Sequence, residues 1–419
     1  MEFDVRTLDP TDPSTDPELL RGYLAAVNRG FHENRSGPEG ERHWLADVRG
    51  NGTRLHGAWL PEGVYGAGVV PVATVVSWLG SLNTGSQLLD LHMVSDVTVS
   101  PANRRQGLAR TLIERDLAEA AAAGRPMAAL TVSEAPIYRR FGFGPSSFFS
   151  KVSVDAGPRF AFDYFEPTGR FVHVEPADLG DVPATIFDAW HAQRRGSVSR
   201  TAFFDAFVHG EWDWKGQKPE MGLRAVVHLD EHDEPHGYVL YRHGGWKQDH
   251  TVTVESLVSL SPEGELALWH FLTGIDLTDT VKATVPVDHI LPWALQDRRC
   301  VKRSGPFDHI WLRILDVVAS LEARPWYADG EVVLGVTDHQ GHAEGRWAVR
   351  VEAGRATVVR SDARPEVSLD VATLGAAYLG AVDVPTLVHA GQIRGDADAL
   401  ATWAAMSDGG PEPYSLTSF

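Results

Sequence analysis

A chain of 419 residues, 43% of them apolar and 22% charged, is globular in composition and too long for one hydrophobic core, so two or three domains are expected. Its formal net charge of −18 argues against bulk binding of nucleic acid or an anionic membrane. The single cysteine, Cys300, cannot close an internal disulfide. No apolar run approaches the roughly 20 residues that span a bilayer, and the charged opening lacks the apolar core of a secretory signal, so a cytoplasmic chain is expected.

Residues 3–6 read as a first strand. Asp16-Pro17-Glu18 is a helix start, and apolar spacing carries that helix over residues 19–31. Residues 39–44 follow after the Ser36-Gly37-Pro38 loop. Strands are expected at 55–59, 69–78 and 88–99, then a helix ending near Gly124, a strand at 128–132, and a short helix into a strand at 137–143. Residues 156–170 look like a linker. Beyond it, strands at 171–174, 223–229, 237–242 and 252–260 alternate with helices at 181–193, 200–209 and 263–274. A third unit opens at 310–315, with a helix at 316–323, strands at 331–336, 346–352 and 356–359, and helices at 371–379, 384–390 and 397–406.

The stretch Val97 to Ala109 carries the most chemistry. Val97 and Val99 alternate with Thr98 and Ser100 as a strand does, and Pro101 stops that strand. Arg104-Arg105-Gln106-Gly107-Leu108-Ala109 then enters a helix whose apolar stripe is Ala109, Leu112, Ile113, Leu117 and Ala120. A strand, a basic turn with a glycine and a fresh helix N-terminus form an anion cradle, because the first N–H groups are unpaired and the helix dipole favours negative charge. The Gly-Lys-Ser/Thr ending of a nucleoside-triphosphate loop is missing, and one glycine is too few for a dinucleotide fingerprint.

Arg104-x-x-Gly107-x-Ala109 after a Val-x-Val-x-Pro strand resembles the acetyl-CoA motif of GCN5-related N-acetyltransferases (GNAT). Three further stretches join it: Val132 to Pro145, Ile310 to Ala323 and the terminal Phe419. Together, in this order and spacing, they resemble the enhanced-intracellular-survival (Eis) family. The resemblance implies an α/β (α+β) fold: tandem GNAT domains, the first functional and the second degenerate, then a sterol-carrier-like domain. The expected bounds are 1–155, 156–308 and 309–419. It also implies a homo-oligomer, a hexamer, that uses acetyl-CoA as cosubstrate.

The resemblance further implies roles for single residues. Val97 and Val99 match the strand whose backbone holds the acetyl carbonyl and pantetheine, and Arg104, Arg105, Gly107, Leu108 and Ala109 match the pyrophosphate turn. Ser133 matches a residue beside the thioester, Tyr138 the general acid, and the Phe419 α-carboxylate the general base. Phe31, Glu33 and Trp44 align with the wall of the amine pocket. Asp96 stands where an aromatic occurs in some members, and Ser418 where others carry an acid, so the acceptor preference is expected to differ.

Two clusters, His232 to His236 and Asp338 to His342, hold acids and histidines but fall in hairpin-turn positions, and no metal is expected. The expected activity is acetyl transfer from acetyl-CoA to a primary amine of a cationic acceptor, with aminoglycosides among the candidates. A protein or peptide lysine ε-amine as acceptor, and a non-catalytic binder of an apolar ligand, are the alternatives.

Overall fold

The computed structural model describes residues 2–132, 135–245 and 250–419. The chain forms two compact units: Met1–Ser147, Arg195–Phe203 and His309–Phe419 in one, Phe148–Arg194 and Phe204–Asp308 in the other.

In the first unit β1 (Asp4–Leu8), β2 (Arg54–Trp59), β3 (Ala73–Asn83) and β4 (Leu88–Val99) pair antiparallel in that order, and β5 (Met127–Thr131) joins β4 in parallel. Pro71 holds back the start of β3, expected at residue 69, to Ala73. Helix α1 (Pro17–Gly30) begins as the sequence indicates, with the Asp16 carboxylate accepting the Glu18 N–H at 2.8 Å and Pro17 in the first turn. After α2 (Pro38–Gly50), helix α3 (Leu108–Ala122) buries Leu108, Leu112, Ile113, Leu117 and Ala120 against the sheet. The expected helix start near Arg104 moves to Leu108, because Arg105 and Gly107 have φ of 63° and 80° and a right-handed helix cannot contain them.

Two strands cross the boundaries expected from the sequence. Ile310–Ile314, read as the opening of the third unit, pairs with β5 on one side and Gly144–Pro145 on the other, so it is an interior strand of the first sheet. Phe148–Asp155, read as the end of the first domain, lies between Val301–Asp308 and Thr280–Pro286 in the second unit's sheet. Both strands need partners on both sides, and the chain supplies them from distant segments.

The remainder of the first unit is a five-stranded sheet in which Gly330–Thr337, Gly345–Glu352 and Arg355–Arg360 form an antiparallel meander and Val367–Asp370 runs parallel to Gly330–Thr337. Its helix Val371–Tyr378 is buried all round, as an uninterrupted apolar helix must be. Glycines permit that packing: a Cβ at Gly375 would strike the Leu312 carbonyl, and one at Gly144 the Ala372 carbonyl. Arg313, buried on the same strand as Leu312, places Nη2 at 2.8 and 2.7 Å from the two Asp338 carboxylate oxygens. Among the described residues no helix is long and apolar enough to cross a membrane.

Candidate active site

The cradle forms where β4 and β5 part. Their parallel pairing runs only over Leu91–Met93 against Met127–Ala129. Beyond Met93, the backbone of β4 through Val97 and Val99 has no partner strand on that side among the described residues. At the end of β4 the Ser100 N–H closes on the Val72 carbonyl at 2.7 Å, and the chain turns through Pro101–Asn103 into Arg104. Arg104, Arg105 and Gly107 are exposed, Ala109 is half-buried, and Leu108 anchors the turn in the core. No side chain caps α3, and its first turn holds no acid. Its first N–H groups are therefore free for an anion, with two guanidinium groups beside them.

The second unit provides a control. Its parallel strand pair, Thr251–Ser259 with Thr280–Pro286, is connected by helix Pro262–Thr273, in the position of α3. That helix is capped by the Ser261 hydroxyl, which accepts the Gly264 N–H at 3.1 Å, and it carries Glu263 and Glu265 in its first turn. A filled cap and two carboxylates repel the anion that the first unit is built to accept.

On β4 the register with β3 slips between Thr74 and Val76, and the bulge turns Asp96 to a φ of 48°. The Asp96 carbonyl accepts the Thr74 hydroxyl at 2.7 Å, and Thr74 and Thr98 share a 2.6 Å hydroxyl contact. Helix α1 ends over this bulge, since a Cβ at Gly30 would press on the Thr98 side chain. The next residues, Phe31 and Glu33, are exposed, with the Glu33 N–H donating to the Asn28 carbonyl at 2.8 Å. Burial and then the neighbouring Glu33 charge push the Asp96 carboxyl up to about 6, against a lowering hydrogen bond from Ser95. Trp44 is buried and stacks on Tyr23 at 6.4 Å, whose hydroxyl donates to the His56 and Val75 carbonyls at 3.0 and 2.9 Å. It backs this region from the core and offers it little surface.

Phe419 reaches the end of β5. Its N–H donates to the Thr131 hydroxyl oxygen at 3.3 Å, the Thr131 hydroxyl donates to a Phe419 oxygen, and its ring meets the edge of Trp78 at 5.5 Å. The preceding tail is pinned: Thr417 Oγ1 donates to the Val198 carbonyl at 3.1 Å and Ser418 Oγ lies 2.9 Å from His309 Nε2. Tyr138 is buried in the short helix Ala135–Arg139, edge-on to Phe143 at 6.5 Å. Ser133 lies outside the described residues.

Thr131, Trp78 and His309 escape a sequence reading, because nothing local marks a residue that will hold a chain end from another segment. So does Asp116, the one acid on the buried face of α3. Its carboxylate takes a 2.6 Å hydrogen bond from Ser77 and lies 3.0 and 2.8 Å from His56 Nε2 and His92 Nε2. Burial alone would raise its pKa, but the hydrogen bonds from the two histidines hold it well below the carboxylate range. The expected turn clusters are hairpins; Asp338 is committed to Arg313 and to the Gln340 and Ala343 N–H groups. Among the described residues no group of three or more side chains is arranged to hold a metal ion.

A bulged β4, a splayed parallel pair and an uncapped helix behind a basic turn define a GCN5-related N-acetyltransferase. Comparison with known proteins agrees: an Acetyltransferase (GNAT) domain model matches residues 17–146, a second matches 196–314, and a Sterol carrier protein domain model matches 317–415. An uncharacterized N-acetyltransferase of Streptomyces griseus is 32% identical over 425 residues, covering 96% of each chain. N-acetyltransferase Eis of Mycobacterium tuberculosis is 32% identical over 324 residues, 74% of this chain and 76% of that one. The crystal structure of Eis1 from Mycobacterium abscessus superposes with a TM-score of 0.83 at 27% identity, covering 99% of this chain and 100% of that one. The chain belongs to the Eis-like family of GCN5-related N-acetyltransferases: an acyltransferase with two GNAT domains and a C-terminal sterol-carrier-like domain.

Proposed function

We propose that the acceptor is a small polycationic amine of the aminoglycoside kind, acetylated on a primary amine in the first unit. The observation that carries this reading is the acidic pair Glu33 and Asp96, set beside the open length of β4. Two carboxyl groups near one another are stabilised by a ligand with more than one positive charge. GNAT domains use acetyl-CoA, and the uncapped α3 with Arg104, Arg105, Gly107, Leu108 and Ala109 fits its pyrophosphate. When bound, acetyl-CoA supplies an activated thioester acyl group and a thiolate leaving group.

The chain's own residues do the rest. Backbone groups of Val97 and Val99 orient the acyl group. Glu33 and Asp96 hold the acceptor through its other ammonium groups, and Phe31 bounds it, with Trp44 supporting that wall from the core. The Phe419 carboxylate takes the proton from the attacking nitrogen, and Tyr138 gives a proton to the departing sulfur. The amine nitrogen gains the acyl carbon as the carbon–sulfur bond breaks. Holding amine and acyl group together supplies roughly 7–11 kcal/mol, more than either proton transfer. The test is thiol release from acetyl-CoA with a panel of mono-, di- and polyamines, an aminoglycoside and a lysine peptide. Polycations turning over fastest supports the reading; preference for the peptide, or no thiol release from any amine by protein that binds CoA, overturns it. A hexamer is proposed for the assembly, with light scattering of the full chain as its test.

A further inference from the structure

The second unit concentrates positive charge that acetyl transfer does not use. The chain has six lysines and a formal net charge of −18. Three of the six, Lys151, Lys282 and Lys302, line one open hollow of about 400 Å³, with Arg303 beside them. No acid lines it; its other polar groups are the hydroxyls of Ser153, Thr253, Thr284 and Ser304.

Strand register explains the convergence. Ser153 lies opposite Lys302 on one side and Lys282 on the other, and Thr253 continues that row; Lys151 lies opposite Ser304 and Thr284 in the next row. Directly opposed residues share a face, as do residues two apart on one strand, so three ammonium stems and four hydroxyls rise from the same side. The other side carries Val152, Val154, Val281 and Ala283 into the core. Lys282 and Lys302 stand two strand spacings apart, about 10 Å at the backbone, so their stems reach a common ligand.

No ion pair neutralises these lysines among the described residues. Glu255, two positions beyond Thr253 on the same strand, is paired with Arg242 at 2.9 Å. Lys151 Nζ lies 5.5 Å from the centre of the Phe307 ring, which leaves the charge uncompensated. Like charges grouped without a counter-charge raise the energy of the folded chain, and a multivalent anion relieves this. We propose that this hollow binds a small, multivalent, phosphate-bearing anion. Ammonium and hydroxyl donors on a concave surface suit tetrahedral oxyanions, and the volume lies in the range of small-ligand sites. A long polyanion is disfavoured by the charge of the whole chain.

The probe is inorganic tripolyphosphate, titrated calorimetrically into the full chain with CoA present in excess to fill the first unit's cradle. One equivalent is expected to bind, with affinity at least tenfold weaker in the Lys151→Gln/Lys282→Gln/Lys302→Gln variant. That variant should keep the acetyl-transfer rate of the unaltered chain. In the unaltered protein, tripolyphosphate should shield these three lysines from acetic anhydride while Lys215 and Lys218 label at unchanged rates. This second readout does not depend on a variant folding or on CoA binding. Absence of binding heat, equal affinity in the variant or uniform labelling overturns the proposal. So does a changed oligomeric mass of the variant without tripolyphosphate binding, which assigns the face to a second copy of the chain.

Discussion

The bulge in β4 gives Asp96 a φ of 48° and sets its carboxyl near Glu33, where burial and that charge push it up to about 6 from an ordinary 3.8. Between these values the folded chain holds a proton that the unfolded chain has lost. Stability therefore falls as pH rises through this window and stays lower above it. Asp96→Asn should remove the effect, melting higher than the unaltered protein at pH 8 by a margin on the order of 1–3 kcal/mol that vanishes near pH 4. A margin that does not change with pH would refute the titration of Asp96. In the proposed acceptor role, the same variant should raise KM for a polycationic amine roughly tenfold and leave KM for acetyl-CoA alone. Tyr138→Phe and a chain extended beyond Phe419 should each lower kcat by about 10²-fold with CoA binding intact. Unchanged turnover in either would remove that group from the mechanism. Thr131 bears on the second case, since its hydroxyl holds a Phe419 oxygen at the end of β5 and an extension would break that contact.

Helix α3 shows what a local sequence pattern can and cannot convey. Its strand–turn–helix order and glycine were legible because each depends on neighbours a few residues away. The start at Leu108 was not, because the left-handed conformation of Arg105 leaves no composition signal. Asp116 was hidden for another reason: its histidine partners come from β2 and β4, and only the folded sheet brings His56 and His92 to it. Trp44 read as pocket wall because its position matches the family, yet its ring packs on Tyr23. The two helices in the α3 position, one uncapped with arginines before it and one capped with Glu263 and Glu265, make the cofactor assignment testable. Arg104→Glu with Arg105→Glu should raise KM for acetyl-CoA at least tenfold while kcat at saturation holds, as expected when groups bind equally in ground and transition states. An unchanged KM would move the pyrophosphate elsewhere.

Across the whole molecule, the domain boundaries suggested by the linker and family pattern do not coincide with the sheets. Phe148–Asp155 alternates buried and exposed positions as a half-buried strand does, and Ile310–Ile314 is buried throughout. Neither pattern tells which sheet the strand joins, because pairing partners lie far away in sequence: Ile310 faces Thr131, and Val281 faces Val154. The consequence is that the first acetyltransferase sheet is not encoded by residues 1–155. Such a fragment lacks Ile310–Ile314, leaving Met127–Thr131 with an open edge and removing Trp311 and Leu315 from the core. It also retains Phe148–Asp155 with neither of its neighbours. Burying each large apolar side chain contributes about 1.5–3 kcal/mol, and a domain's net stability is only about 5–15 kcal/mol, so losing one interior strand is enough to unfold it. The unpaired edges then favour association. Residues 1–155 expressed alone should lose near-ultraviolet circular dichroism and aggregate, whereas the full chain melts cooperatively. A soluble 1–155 fragment with a cooperative melt and CoA binding would show that the first domain does not need its borrowed strand.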